Sequence, residues 1–399
     1  MCWSRKIFTA MSLCLFYAHV YADSNREFDR AYQMYISPIT KKEAFSVFNT
    51  MASKGDLLAK AYLVGMLMES NGVENQKKAR DLAKTIFEEL TILADKGDVY
   101  AQDRVGYFYK NGYGTSVDNA QAVWWFRKAA GLGFANGQNN LGSMYEYAKG
   151  VEKDDSEAIR WYQKAAEQKH AMAQLNLGLV YDRQRNYTEA LKWYRLASEN
   201  GSDWGSHNIG VTYERGLGVP QDYVEAMKWY RKAVEQGNIA SQNNIAFLYS
   251  TGRGVPKDFV EATLWFKKSA FLGNPVAQDN IGVNYELGHG VEQNYDEAAM
   301  WYRKSANQGY DHAQVHLASL YQRGRGVFQD YSKAMMWYQK AATQGNAVAM
   351  NAIGYMYNYG EGVEKSEDEA MRWAQMAADH GLEEAKNYLK AMKEYKEKK

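Results

Sequence analysis

His312 and His316 stand four residues apart, the spacing at which two imidazoles on one helix face begin a zinc site. No third ligand lies close in sequence and no His-Glu-x-x-His motif surrounds them, so no metal site is expected. The Gly-x-Gly-Val segments, such as Gly252-Arg253-Gly254-Val255, have the glycines of a phosphate loop but lack its preceding strand, its further Gly spacing and its lysine. They read as turns. For nucleophilic catalysis there is no Gly-x-Ser-x-Gly elbow and no Ser-x-x-Lys pair. Both cysteines, Cys2 and Cys14, fall in the first 22 residues. No catalytic residue and no cofactor is therefore expected, and the chain reads as a non-enzyme.

Residues 1–22 combine a basic start at Arg5 and Lys6, an apolar middle from Ile7 to Tyr17, and Val20-Tyr21-Ala22 before Asp23. That is the pattern of a secretory signal peptide, with cleavage expected after Ala22. The apolar run is shorter than the ~20 residues of a spanning helix, so a membrane anchor is the weaker reading. Cys14 follows Ser12-Leu13, which does not suit lipidation. The expected product is cysteine-free, has no integral membrane segment and is periplasmic or secreted. Removing Arg5 and Lys6 leaves 46 basic against 47 acidic residues, a balance unlike that of a nucleic-acid binder.

The chain repeats. Trp125, Trp161, Trp193, Trp229, Trp265, Trp301, Trp337 and Trp373 are separated by 36 residues, except for one interval of 32. Each has Ala three residues before it, an aromatic or Ala after it, and usually Gly eight residues on; Lys169 replaces that Gly once. This spacing predicts a helix, B, with its start fixed seven residues before the Trp by Asp118, Asp154, Asn186, Asp222, Asp258, Asn294, Asp330 or Ser366. In seven of the eight, Glu or Gln three residues later completes a capping box. A second apolar stripe, as in Gly205–Tyr213, predicts helix A, whose central small residue (Gly142, Gly178, Gly282) is expected to receive a Trp. The repeat from Ala173 lacks four loop residues and needs a tighter A-to-B turn.

Neither helix buries its face alone, so the expected fold is all-α: an α/α superhelical solenoid of about ten helix pairs with a 36-residue period. The expected organisation is a signal peptide over 1–22, diverged repeats and cap over 23–98, and eight tandem repeats over 99–381. A capping helix and Lys-rich tail complete it over 382–399.

The run Ala-x-x-Asn-Leu/Ile-Gly-x-x-Tyr-x-x-Gly-x-Gly-Val-x-x-Asp-x-x-x-Ala-x-x-Trp-Tyr-x-Lys-Ala-Ala-x-x-Gly, best seen over 205–237 and 277–309, resembles the Sel-one-like repeat, a relative of the tetratricopeptide repeat. The resemblance implies helices A lining a concave face and a role as an adaptor for protein partners: envelope regulator, assembly factor or host-factor binder. Some cysteine-rich relatives are described as penicillin-binding or β-lactamase proteins, but their paired cysteines are missing here. A cell-wall enzyme of that type, or a modulator of one, is the second reading.

Two surface features carry the binding question. Asn140, Asn176, Asn208, Asn244 and Asn280, continued by His316 and Ala352, form a ladder beside the apolar stripe. Its amides either clamp a peptide backbone or tie adjacent repeats, and the resemblance, which carries Asn there, favours structure. On the outward side of helix A, Met172, Leu175, Leu179, Trp204, His207, Val211 and Phe247 stand where other copies offer Asn or Ser. An apolar cluster on a concave surface marks a partner site. The basic pairs Arg127-Lys128, Arg231-Lys232, Lys267-Lys268 and Arg303-Lys304 read as a solvated outer face. A monomer binding one protein partner and no nucleic acid is expected.

Overall fold

A computed structural model describes residues 27–36, 41–70 and 72–397. The expected signal peptide lies outside them. Among the described residues every regular element is a helix. The diverged region holds α1 (27–36), α2 (Lys41–Ser53), α3 (Leu57–Glu69) and the long α4 (Val73–Asp95). Pairs then follow as α5 (Val99–Asn111) with α6 (Asn119–Gly131), α7 (Ala135–Glu146) with α8 (Asp155–Glu167), and α9 (Ala171–Arg183) with α10 (Tyr187–Glu199). Next come α11 (Asp203–Arg215) and α12 (Tyr223–Glu235), then α13 (Ile239–Thr251) with α14 (Phe259–Phe271) and α15 (Pro275–Leu287) with α16 (Tyr295–Asn307). The last pairs are α17 (Asp311–Arg323) with α18 (Tyr331–Ala342) and α19 (Ala347–Tyr359) with α20 (Glu367–Asp379), before α21 (Glu383–Glu397). Odd numbers from α3 to α19 are helices A and even numbers are helices B.

The chain forms two compact units, the first ending at Gln221 and the second beginning at Asp222, between α11 and α12. Within each, helices adjacent in sequence pack on one another, the all-α solenoid that the repeat demands. At the C-terminal end α21 lies on α20 and buries Ala385 against the core of the second unit.

The expected N-caps are all present. Asp118 accepts from the Gln121 amide at 2.9 Å, Asp154 from Ser156 and Glu157, and Ser366 from Glu369. The other half of the capping box is replaced. The cap's own amide donates to the carbonyl of a helix-A Tyr, as Asp118 does to Tyr109, Asp258 to Tyr249 and Asp330 to Tyr321. The third-position Glu is thereby released to pair along its own helix: Glu157 with Arg160, Glu189 with Lys192 and Glu225 with Lys228. Glu225 also accepts from the Trp229 indole at 3.0 Å.

The expectation that the central small residue receives Trp is corrected, because the residue after Trp takes that place. A Cβ on Gly142 would lie 2.8 Å from the Tyr162 ring, and one on Gly282 would lie 2.5 Å from Tyr302. The reason is angular: Tyr follows the buried Ala by four residues and shares its helix face, while Trp at three residues sits on the flank. Tyr162, Tyr194, Tyr230 and Tyr302 are therefore among the largest wholly buried side chains. Trp161, Trp193, Trp229 and Trp265 are half-buried, although Trp125, Trp301 and Trp337 are buried. A lysine three residues on covers the ring: Lys164 at 4.2 Å from Trp161, Lys268 at 3.9 Å from Trp265 and Lys340 at 4.0 Å from Trp337.

The shortened repeat turns in three residues, Gln184 to Asn186, with Arg185 at φ 60° donating to the Asp182 carbonyl. Lys169, which stands in for the helix-ending Gly, also adopts φ 60°.

Two stability measurements follow. Tyr162→Ala is expected to cost ~3–5 kcal/mol in chemical denaturation, and Trp161→Ala about half of that, the reverse of the order expected if Trp were the core column. Lys169→Gly is expected to stabilise by ~1 kcal/mol, since it removes a side chain from the left-handed region; a loss of stability would count against that strain.

Candidate functional site

Counting from the start of each helix A, the second, fifth and ninth residues lie on one face by the 3.6-residue period. The fifth residue meets the sixth residue of the following repeat. Asp103 accepts from Asn140 at 2.7 Å, Asn139 from Asn176 at 3.0 Å, and Asn243 from Asn280 at 3.4 Å. His316 sits in the same register, its Nδ1 2.8 Å from Asp279. His312 lies against Tyr310 instead, and among the described residues no group of three or more His, Cys, Asp or Glu is placed to hold a metal ion.

A glutamine column, one residue before the fifth position, adds a second tie. Gln138, Gln174, Gln278 and Gln314 donate to the carbonyls of Ala130, Ala166, Ala270 and Ala306 on the preceding helix B. Gln168, Gln308 and Gln344 then donate to Gln138, Gln278 and Gln314 at 2.8–2.9 Å. The basic pairs are also engaged: Arg127 donates to the Tyr145 hydroxyl, Arg231 to Tyr249 and Arg303 to Tyr321.

In the first unit the expected partner residues divide by depth. Met172 and Trp204, each second in its helix, are 52% and 47% exposed. Leu179 and Val211, each ninth, are half-buried. Leu175 and His207 are buried, so their expected placement on the outward surface is corrected. They are fifth-position residues, the position that Asp103 and Asn139 show turned toward a neighbouring helix A. The Trp204 ring stands edge-on to His207 at 5.2 Å, and burial holds the His207 imidazole down at about 4. In the second unit Phe247, a ninth residue, is 40% exposed.

Each unit has a further feature on its own helices A that the sequence did not single out. In the first unit α1 lies across helices A: Phe28 meets Tyr100 at 5.1 Å, Tyr32 meets Tyr100 at 4.9 Å and Phe134 at 5.5 Å, and Tyr35 meets Tyr62 at 5.2 Å. The Tyr100 hydroxyl donates to Asp29 at 3.0 Å. Nearby, the buried Arg104 pairs with Asp103 and lies 4.3 Å from the centre of the Tyr62 ring and 4.7 Å from that of Tyr107. In the second unit a cavity of ≈ 750 Å³ between α17 and α19 is lined by Val315, Gln322, Val348, Asn351, Tyr355 and Tyr359. Tyr100, Tyr107, Val348 and Tyr355 all occupy second or ninth positions, so the register that singled out Met172 and Trp204 was the signal for them too.

Eight consecutive segments, 99–134, 135–170, 171–202, 206–238, 239–274, 275–310, 311–346 and 347–382, match the Sel1 repeat model. The chain belongs to the Sel1 repeat family, whose members are scaffolds that generally serve protein interaction on a typically non-catalytic fold. It is similar to the crystal structure of a protective antigen present in uropathogenic Escherichia coli strains that displays an SLR fold. That match has 36% identity and a TM-score of 0.63, over 77% of this chain and 67% of that one. It is also similar to a Sel1 repeat protein from Oxalobacter formigenes, at 30% identity and a TM-score of 0.58, over 83% of this chain and 93% of that one. No curated protein matches it.

The buried His207 gives a pH test. Its folded-state value, about 4, lies below the ordinary 6.5, so the unfolded chain takes up the proton first and the stability gained from the neutral ring is lost as pH falls from 6.5 toward 4. His207→Gln is expected to flatten the fall in unfolding free energy over that window by about 2–3 kcal/mol relative to wild type. Parallel curves for the two proteins would remove His207 from the account.

Proposed function

We propose that the protein is an exported, non-catalytic scaffold that binds a protein partner along its helix-A face. The observation that carries this reading is the exposure of Met172 and Trp204 at a helix position where the flanking copies offer the smaller Asn136 and Ala240. Large side chains left in water at a position that the repeat does not dictate have no role in the stack, and Trp and Met are enriched at binding surfaces. Export, to the periplasm or outside the cell, is supported by the leader pattern over 1–22. The likeness to a protein described as a protective antigen accords with such a location. Among the described residues no helix is long and apolar enough to cross a membrane.

Affinity capture of partners from envelope extract and from host material, with wild type beside Trp204→Ser and Phe247→Ser, tests the reading. At least about tenfold weaker capture is expected for the variants, the loss typical of an aromatic anchor. Undiminished capture by both variants would sink the assignment to this face. Incubating the pure mature protein with a chromogenic β-lactam and with peptidoglycan separates the scaffold from the cell-wall enzyme: no turnover is expected, and specific turnover would replace this reading with the enzymatic one.

A further inference from the structure

The helix-A face of the first unit already seats one helix, and the chemistry of that seat defines the kind of helix that fits beside it. α1 presents Phe28, Tyr32 and Tyr35 at i, i+4 and i+7, a single stripe, while Glu27, Asp29, Arg30 and Gln33 are exposed. The stripe meets rings supplied by successive helices A: Tyr62 from α3, Tyr100 from α5 and Phe134 at the cap of α7. Edge-on and offset ring contacts at 4.9–5.7 Å are thus the means by which this face holds a helix.

The same row continues past α1. Second positions run Tyr100, Asn136, Met172 and Trp204; the first lies under α1, and the last two are about half exposed. A cavity of ≈ 690 Å³ opens on the flank of α1, lined by its Tyr32 and Ile36 and by Leu132, Phe134, His170 and Asn200. Leu132 at its edge is also exposed. The open surface therefore joins an existing helix seat and offers the same mixture of rings and flexible apolar side chains.

We propose that this open remainder of the first unit's face, from the flank of α1 to Met172 and Trp204, receives a second amphipathic helix, supplied by a protein partner and carrying aromatic residues at i, i+4 and i+7. The proposal rests on the scaffold reading above and names the class of partner segment. The incoming rings fill the cavity beside Tyr32 and Ile36 and stack against Trp204, while Met172 adapts its shape to them. The polar side of the helix stays in water, as that of α1 does.

The test uses the full mature chain and a synthetic peptide of residues 24–38 of this sequence, a stand-in for such a helix, with a benzophenone photo-crosslinker at position 32. Saturable binding is expected, with adducts mapping to α9 or α11 around Met172 and Trp204. The Met172→Ala, Trp204→Ala double variant is expected to bind about tenfold more weakly. A peptide carrying Phe28→Ser and Tyr35→Ser is expected not to bind. Both chain positions are half exposed, so circular dichroism should report an unchanged fold, and the adduct map on wild type stands whether or not the variant folds. Adducts confined to α3 and α5 would mean that the peptide only replaces α1, and would overturn the proposal. So would the absence of binding, equal binding by the double variant, or dimers of the chain that exclude the peptide from this face. If partner capture depends on Trp204 while no aromatic helix binds, this inference fails and the scaffold reading survives.

Discussion

The contact on which the stack depends is an aromatic ring seated on a small residue, glycine in several repeats and alanine at Ala246 and Ala318. Tyr162 over Gly142, Tyr194 over Gly178 and Tyr302 over Gly282 come so close that an added Cβ would lie 2.4–2.8 Å from ring carbons. The ring buries the face of helix B and the missing side chain lets helix A approach, so one pair of positions sets the spacing of the two helices. The hydroxyl then needs an acceptor, and Glu146 supplies it for Tyr162 at 2.6 Å, Glu286 for Tyr302 at 2.7 Å and Gln322 for Tyr338 at 2.9 Å. Burial together with these acidic neighbours drives the phenols of Tyr162 and Tyr302 far above their ordinary range, so they act only as neutral donors.

Given that spacing, the polar ladders set register. A solenoid of near-identical units is exposed to sliding by one turn, because apolar faces alone discriminate poorly between neighbouring registers. The bonds from Asn140 to Asp103 and from Asn176 to Asn139, and the bridges from the Gln column to helix-B carbonyls, each require one alignment. A slip would leave buried amides unpaired, a cost of about 1–3 kcal/mol for each group. Because within each unit a repeat touches chiefly its neighbours, these ties recur from repeat to repeat and do not converge on one centre.

Helix positions, N-caps and the short turn at Gln184–Asn186 were legible because each is fixed by a few residues acting locally. The burial of Tyr in preference to Trp was not, since a constant residue reports that a position matters without reporting which way it points. Here one residue of helical rotation, about 100°, separates the half-buried Trp161 from the wholly buried Tyr162. On helix A a smaller net rotation, about 60° over three residues, separates the exposed Met172 and Trp204 from the buried Leu175 and His207, which share their face but lie nearer the neighbouring helix. α1 escaped notice for another reason. Its ten residues lie outside the repeat, and Phe28, Tyr32 and Tyr35 gain meaning only when Tyr62, Tyr100 and Phe134 from three later helices are brought beneath them.

The division of labour within one repeat explains how such a chain acquires a function. Glycine beneath the ring, the N-cap and the Gln and Asn ties are held by the stack, and changing them costs stability. Second and ninth positions of helix A carry no such duty, and they range over Tyr100, Asn136, Met172, Trp204, His312 and Val348 at the second and Tyr107, Ser143, Phe247 and Tyr355 at the ninth. Fifth positions lie between, since a polar residue there serves the ladder, while Leu175 and His207 are drawn inside and His207 supports the ring of Trp204. Substituting exposed positions in different repeats changes the surface one patch at a time and leaves the scaffold intact. Recognition of an extended or helical segment spread over several repeats needs just that kind of surface, whereas a catalytic centre needs several groups converging on one point, which stacked helix pairs supply less readily.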